Sequence, residues 1–131
     1  HRINRRQRQM CIRDSHKREL SKAKESFEDL SDFLTRFPDS EYSGNAKQRM
    51  IYLRNLIAKQ EIYVAEFYLE RKAFVAALSR ADYVLKHMPK TPQVERAFEI
   101  MIIAYQELGQ DALKADVEKA LQTFRQNLNP S

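Results

Sequence analysis

The chain contains one cysteine and only two glycines, and these shortages exclude several kinds of site. A lone cysteine offers no partner for an intrachain disulfide and too few thiolates for a metal centre. With so little glycine there is no phosphate-binding glycine loop, and no nucleophile motif is present. No apolar run approaches the roughly 18 residues that cross a membrane. The sequence therefore predicts a non-enzymatic protein without cofactor or metal.

The first fifteen residues differ from the rest in charge and pattern. The stretch RRQRQMCIRDS, Arg5 to Ser15, holds four arginines and the cysteine without helical or strand periodicity. Such a run ordinarily indicates a basic arm for nucleic acid or a processed targeting segment. It also resembles the conceptual translation of a transposase adapter used in preparing DNA for sequencing. We interpret residues 1–15 as a non-native tail that packs against nothing, and residues 16–131 as the domain.

The net charge depends on this interpretation. The chain has 23 basic and 18 acidic residues, and five of the basic but one of the acidic residues lie within residues 1–15. Without that segment the formal net charge falls from +5 to +1. Most of the electrostatic attraction to nucleic acid or anionic lipid disappears with it, so neither is predicted as a partner.

From Glu19 onward the apolar residues recur at helical spacing, which predicts an all-α chain of about five helices. Prolines and a glycine set the boundaries: Pro38 and Pro89 stop helices, Thr91 caps the next one, and Gly109 ends it. The stretch 41–72 has no proline and is predicted as one unusually long helix, with Ser40 as a possible cap. The first predicted helix ends near Phe37, the third spans 74–87, and the fourth runs from Thr91 to Gly109. The fifth begins near Asp111 and has an inward-facing stripe of Leu113, Val117, Leu121, Phe124 and Leu128.

The chain also repeats itself at an offset of 51 residues. Helix, proline stop and helix follow in the same order in each unit, which is typical of a helical solenoid. The finer spacing of small residues, aromatics and proline resembles tetratricopeptide repeats. The matched pairs are Phe27 with Leu78, Leu34 with Leu85, Pro38 with Pro89, Ala46 with Ala97, and Met50 with Met101.

Carboxylates on the long helix do not predict catalysis. Glu61, Glu66 and Glu70 have basic neighbours on the same helix, such as Lys59 and Arg71, and solvated ion pairs are the expected role.

Three stretches resemble the BamD family, tetratricopeptide lipoproteins of the bacterial outer-membrane protein assembly machine. They are RFPDSEYSGNA at 36–46, VAEFYLERKAFVAALSRADYVLKHMPKTP at 64–92, and AYQELG at 104–109. The second stretch is the specific one, because the first is shared with other periplasmic tetratricopeptide proteins, including the cell-division coordinator associated with the Tol-Pal system. Two residues depart from the family pattern: Lys72 stands where glycine is usual, and Ser79 where asparagine is common.

The resemblance implies a scaffold subunit of the β-barrel assembly (BAM) complex at the periplasmic face of the outer membrane. The chain corresponds to the C-terminal half of the family, so we expect it to be a fragment of a longer solenoid that acts as a monomer within a hetero-complex. The implied partners are the POTRA domains of the barrel-forming subunit BamA and the accessory lipoproteins. The family's lipid-bearing cysteine is not found here. The main alternative is a generic periplasmic scaffold of the Tol-Pal type, and a more distant one is a hydrolase whose catalytic residues meet only in the folded chain.

The predicted partner-binding residues are Arg80, Arg71, Glu66 and Tyr83. Arg80 matches the arginine that follows the usual asparagine of the family's specific stretch, and periodicity places it beside the buried stripe of its helix. Its planar fork suits bidentate binding of a partner carboxylate. A pair with an acidic neighbour, such as Glu66 or Asp82, is the competing interpretation.

Overall fold

The computed structural model describes the backbone of residues 5–128 and the side chains of residues 17–128. Within that range every regular element is a helix, so the predicted all-α class is confirmed. The helices are α1 (Arg5–Arg36), α2 (Ser43–Glu70), α3 (Phe74–His87), α4 (Val94–Glu107) and α5 (Asp111–Leu128).

Helix α1 begins earlier than the sequence predicted. Residues 5–15 show no helical periodicity in the sequence, yet α1 is continuous from Arg5 to Arg36. Arginine, glutamine and methionine are good helix formers, and lengthening an existing helix costs far less than nucleating one. The expected lack of packing of residues 1–15 concerns side chains outside the described residues, and the non-native tail stays a prediction.

The long second helix is confirmed, with 28 residues from Ser43 to Glu70. It ends in a turn where Lys72 has a φ of 62°, in the left-handed region. That region favours glycine, because a Cβ there crowds the following carbonyl oxygen. Lys72, which stands where the related family usually has glycine, therefore has a backbone conformation that favours glycine.

The chain divides into two compact units, residues 1–60 and 61–131. In the first unit the predicted α1 stripe is only half-buried at Phe27, Leu30 and Leu34. The buried apolar residues there are Leu20, Ala23, Ala46, Leu53, Ile57 and Ala58.

In the second unit α3 packs on α4, and α4 packs on α5. Alanines occupy fully buried positions on both α3 and α4, which allows close approach of the two helices. Only Leu121 of the predicted α5 stripe is fully buried, whereas Leu113 and Leu128 are exposed. The prediction of a wholly inward stripe is thus wrong. The other buried apolar residues of this unit are Ile62, Ala65, Ala77, Ala81, Val84, Met88, Val94, Ala97, Ile100, Met101 and Ala104.

The repeat is visible in the backbone hydrogen bonds of two helix connections. After α1, the amide of Phe37 donates to Phe33 and that of Ser40 to Phe37, at 2.8 and 3.4 Å. After α3, 51 residues on, the amide of Met88 donates to Val84 and that of Thr91 to Met88, at 2.9 and 3.4 Å. The same turn therefore follows both proline-stopped helices.

A hydroxyl group closes each of these turns. Ser43 Oγ donates to the carbonyl of Phe37 at 2.8 Å, and Thr91 Oγ1 donates to that of Met88 at 2.9 Å. Ser40 Oγ accepts from the amide of Tyr42, before α2 begins. Ser40 and Thr91, predicted as helix caps, thus shape the turns instead, because their oxygens bond within the connections.

Gly109 ends α4 as predicted, with a φ of 72°. Its amide donates to the carbonyl of Gln106, and the amide of Gln110 donates to that of Tyr105. These two bonds form a Schellman motif, in which the left-handed residue is usually glycine.

Candidate partner-binding site

Glu61 and Arg80 bring α2 and α3 together through charge. The side chain of Glu61 is fully buried, and both of its carboxylate oxygens lie 3.5 Å from Nη1 of Arg80. The side chain of Arg80 is 37% exposed. One edge of the guanidinium therefore meets a buried carboxylate while part of the side chain reaches solvent.

The neighbours of Arg80 on α3 fix where it lies. Ala77, Ala81 and Val84 are fully buried on the same helix, so Arg80 lies beside the packed stripe as its spacing predicted. The acidic neighbour is Glu61, which the sequence argument assigned to a solvated pair on its own helix; that assignment is wrong, because Glu61 faces the interior.

Glu66 is held by an arginine of α4. Arg96 Nε donates to Glu66 Oε1 at 2.7 Å, and Arg96 Nη1 donates to Glu99 Oε2 at 3.0 Å. The hydrogen bond to Glu66 is the main cause that raises the pKa of Arg96. The expectation that Glu66 pairs with basic residues of its own helix is therefore wrong, because α4 supplies the closer cation.

This network continues to α5. Arg125 Nε donates to Glu95 Oε1 at 2.8 Å, and Arg125 Nη2 lies 4.0 Å from Glu99 Oε1. Two arginines and three glutamates thus link α4 to the last turns of α2 and to α5.

The other two predicted site residues lie on either side of Arg80 in the sequence. Arg71 follows the end of α2, and its Cζ lies 3.6 Å from the ring centroid of Phe67, a cation–π contact. Tyr83 is one helical turn after Arg80 on α3, and its ring centroid is 4.6 Å from that of His87. The structure places Tyr83 next to Arg80 along α3, whereas Glu66 and Arg71 are engaged by Arg96 and Phe67.

A groove that the sequence analysis did not single out lies on the last turns of α2. Tyr63, Glu66, Phe67 and Glu70 line about 170 Å³ of open space. Their spacing of three, four and seven residues puts them on one helix face. Tyr63 is nearly half exposed there.

Metal binding and membrane crossing find no support in the described part of the chain. No group of three or more histidine, cysteine or acidic side chains is arranged there to hold a metal ion. No helix in that part combines the length and apolar character that a membrane span requires.

Comparison with known proteins identifies the family. The model of the YfiO outer membrane lipoprotein family matches residues 3–121, most of the chain. The chain belongs to the YfiO family. The match confirms the predicted resemblance to BamD and a tetratricopeptide-like helical fold.

Three similar relatives are named outer membrane protein assembly factor BamD. The protein from Vibrio cholerae is 35% identical over 89% of the chain, that from Xylella fastidiosa 36% over 84%, and that from Neisseria meningitidis serogroup A 32% over 87%. These alignments cover 46%, 38% and 43% of the respective relatives. The chain thus spans less than half the length of these proteins.

Proposed function

We propose that the chain is a non-catalytic scaffold in the BAM complex, acting at the periplasmic face of the outer membrane. Its family and the assembly-factor name of its relatives support this role. The proposed partners are the POTRA domains of BamA and the accessory lipoproteins.

The docking surface that we propose is centred on Arg80 and includes Tyr83. The observation that carries it is the position of Arg80: Ala77 and Ala81 on the same helix are fully buried, while 37% of the Arg80 side chain is exposed. A guanidinium presented in this way offers paired N–H donors to a carboxylate of the partner. Glu66 and Arg71, which contact Arg96 and Phe67, belong to the neighbouring part of the proposed surface.

The first test is the affinity of the chain for a POTRA array of BamA. Arg80→Lys keeps a positive charge next to Glu61 but loses the planar fork, so the fold should persist while docking weakens. We expect a loss of about 2 kcal/mol, roughly thirty-fold in Kd. Isothermal titration calorimetry measures the affinity, and circular dichroism confirms the helix content.

A matched control is available on α5. Arg125→Lys changes another surface arginine that bonds a glutamate, Glu95, at 2.8 Å. This variant should bind like the wild type. If Arg80→Lys also binds like the wild type, Arg80 is not part of the docking surface. If the wild-type chain does not bind the POTRA array but binds a periplasmic Tol-Pal component, the alternative scaffold role replaces the proposed one.

A further inference from the structure

Glu61 is unusual among the described residues because it is a charged side chain with no exposed surface. Transfer of a carboxylate out of water is unfavourable unless a cation and hydrogen bonds compensate for the lost hydration. An apolar residue at this position would pack without that cost. A buried acid beside a half-exposed arginine therefore suggests a task other than packing.

The contact between Glu61 and Arg80 is loose. Nη1 lies 3.5 Å from each carboxylate oxygen, whereas charge-assisted hydrogen bonds to carboxylates are about 2.7 to 2.9 Å long. Both contacts use the same terminal nitrogen. The pair thus orients one edge of the guanidinium without a close bidentate bond, and more than a third of the Arg80 side chain is exposed to solvent.

Arg96 shows that one guanidinium in this chain can hold two carboxylates together. It donates to Glu66 through Nε at 2.7 Å and to Glu99 through Nη1 at 3.0 Å. A guanidinium has five N–H donors in a fixed fork, so two carboxylates can be bound at different edges. Arg80 meets the carboxylate of Glu61 at one edge, and a second carboxylate would complete the same arrangement.

We infer that Glu61 is a positioning residue for docking: its buried carboxylate holds Nη1 of Arg80 and turns the rest of the guanidinium toward an acidic side chain of the partner. This inference rests on the proposed function. It takes the partner carboxylate from that proposal and assigns the orientation of Arg80 to a residue that the partner does not touch.

Glu61→Gln tests the inference, since it keeps the shape of the side chain and removes the charge that holds Arg80. Two measurements are made on the folded chain. Calorimetry gives the affinity for the BamA POTRA array, and NMR relaxation of the Arg80 Nε–Hε group reports how freely the guanidinium moves. We expect faster motion of Arg80 and about tenfold weaker binding, the lower end of what supporting residues contribute when they orient metal ligands.

Three further variants separate positioning from a general loss of stability. Glu95→Gln, on α4, removes a carboxylate from Arg125 and should change neither measurement. Glu61→Asp keeps the negative charge but moves the carboxylate away from Arg80 by the length of one methylene group, so it should weaken binding less than Glu61→Gln. It also replaces Glu61→Gln as the test variant if Glu61→Gln does not fold. In an Arg80→Lys background, Glu61→Gln should cause little further loss, because its effect passes through the guanidinium.

Each contrary result has a distinct meaning. Unchanged Arg80 motion in Glu61→Gln overturns the inference whether or not the POTRA array binds. Equal or tighter binding by that variant also overturns it, and tighter binding would mean that Glu61 competes with the partner carboxylate. If the wild-type chain does not bind the array while Arg80 motion responds to Glu61→Gln, the proposed function fails, and the pair is left with a structural role only.

Discussion

Two ion pairs join α2 to other helices: Arg80–Glu61 reaches α3 and Arg96–Glu66 reaches α4. The pair with the longer distance, Arg80–Glu61, has the more deeply buried carboxylate. Arg80 lies 3.5 Å from a carboxylate with no exposed surface, whereas Arg96 lies 2.7 Å from one that is 41% exposed. The pair with the shorter distance, Arg96–Glu66, is therefore the more exposed to solvent. Water and salt weaken its attraction, and its partners would be well hydrated without each other.

The buried carboxylate makes the longer pair the more consequential for stability. Because Glu61 has lost its hydration, the positive charge of Arg80 offsets a desolvation penalty that is smaller for Glu66, whose side chain is 41% exposed. Lys86 and Asp82 extend the series to the surface, with a 2.9 Å contact between side chains that are 69% and 39% exposed. The exposure of both partners taken together, rather than the distance between them, should therefore rank the three pairs.

The largest expected effect comes from Arg80→Ala. Removing this cation from beside the buried Glu61 carboxylate should lower the free energy of unfolding by about 3 kcal/mol, the lower end of the range for buried pairs, because Arg80 itself is partly exposed. Urea unfolding followed by circular dichroism measures the change. For this reason Arg80→Ala is a poor probe of docking, since loss of fold and loss of contact would coincide.

A second substitution checks the cause. Adding Glu61→Met to Arg80→Ala replaces the buried charge with an apolar side chain of similar size, so the double variant should regain stability. A double variant as unstable as Arg80→Ala would show that the packing of the arginine stem, rather than the Glu61 charge, accounts for the loss.

Much of the fold could be predicted because its signals are local. Helical periodicity, two proline stops and one glycine gave five helices, and the 51-residue offset reappears in the hydrogen bonds of both turns. The start of α1 was missed because helix extension needs good helix formers and no amphipathic pattern. The caps at Ser40 and Thr91 were misassigned because the Thr91 hydroxyl donates to the preceding carbonyl of Met88, and the Ser40 hydroxyl accepts from the amide of Tyr42 before α2 begins.

The site was harder to predict because its partners are distant in sequence. Glu61 and Glu66 were each expected to pair with basic residues of their own helix, but the arginines that they contact lie 19 and 30 residues away. Helical periodicity places Glu61 only relative to the other residues of α2. No local sequence signal indicates that Arg80 of α3 lies next to it. The position of Arg80 beside the alanine stripe of α3 follows from helical spacing alone, so this part of the site could be predicted from the sequence.

A smaller effect is expected from Glu66→Gln. Arg96 keeps its bond to Glu99, and the pair with Glu66 is open to solvent, so the free energy of unfolding should fall by about 0.2 to 1 kcal/mol. The difference from the wild type should shrink in about 1 M salt, where charges are screened within about 3 Å. Urea unfolding at low and high salt makes the comparison. A loss as large as that of Arg80→Ala would contradict the ranking by burial.

The smallest effect belongs to Lys86 and Asp82, one turn apart on α3. The hydrogen bond and the charge of Asp82 raise the pKa of Lys86 above its ordinary value of 10.5. A raised pKa in the folded state means that the pair contributes its stability below pH 10.5 and loses it as the pH rises through the folded pKa. The difference in Tm between the wild type and Asp82→Asn should therefore be small at neutral pH and shrink further in alkali. NMR titration of the Lys86 side chain gives the direct measurement, and Asp82→Asn should return its pKa toward 10.5. An identical titration in both proteins would mean that this contact does not persist in solution, which would leave the two arginine pairs as the measurable part of the series.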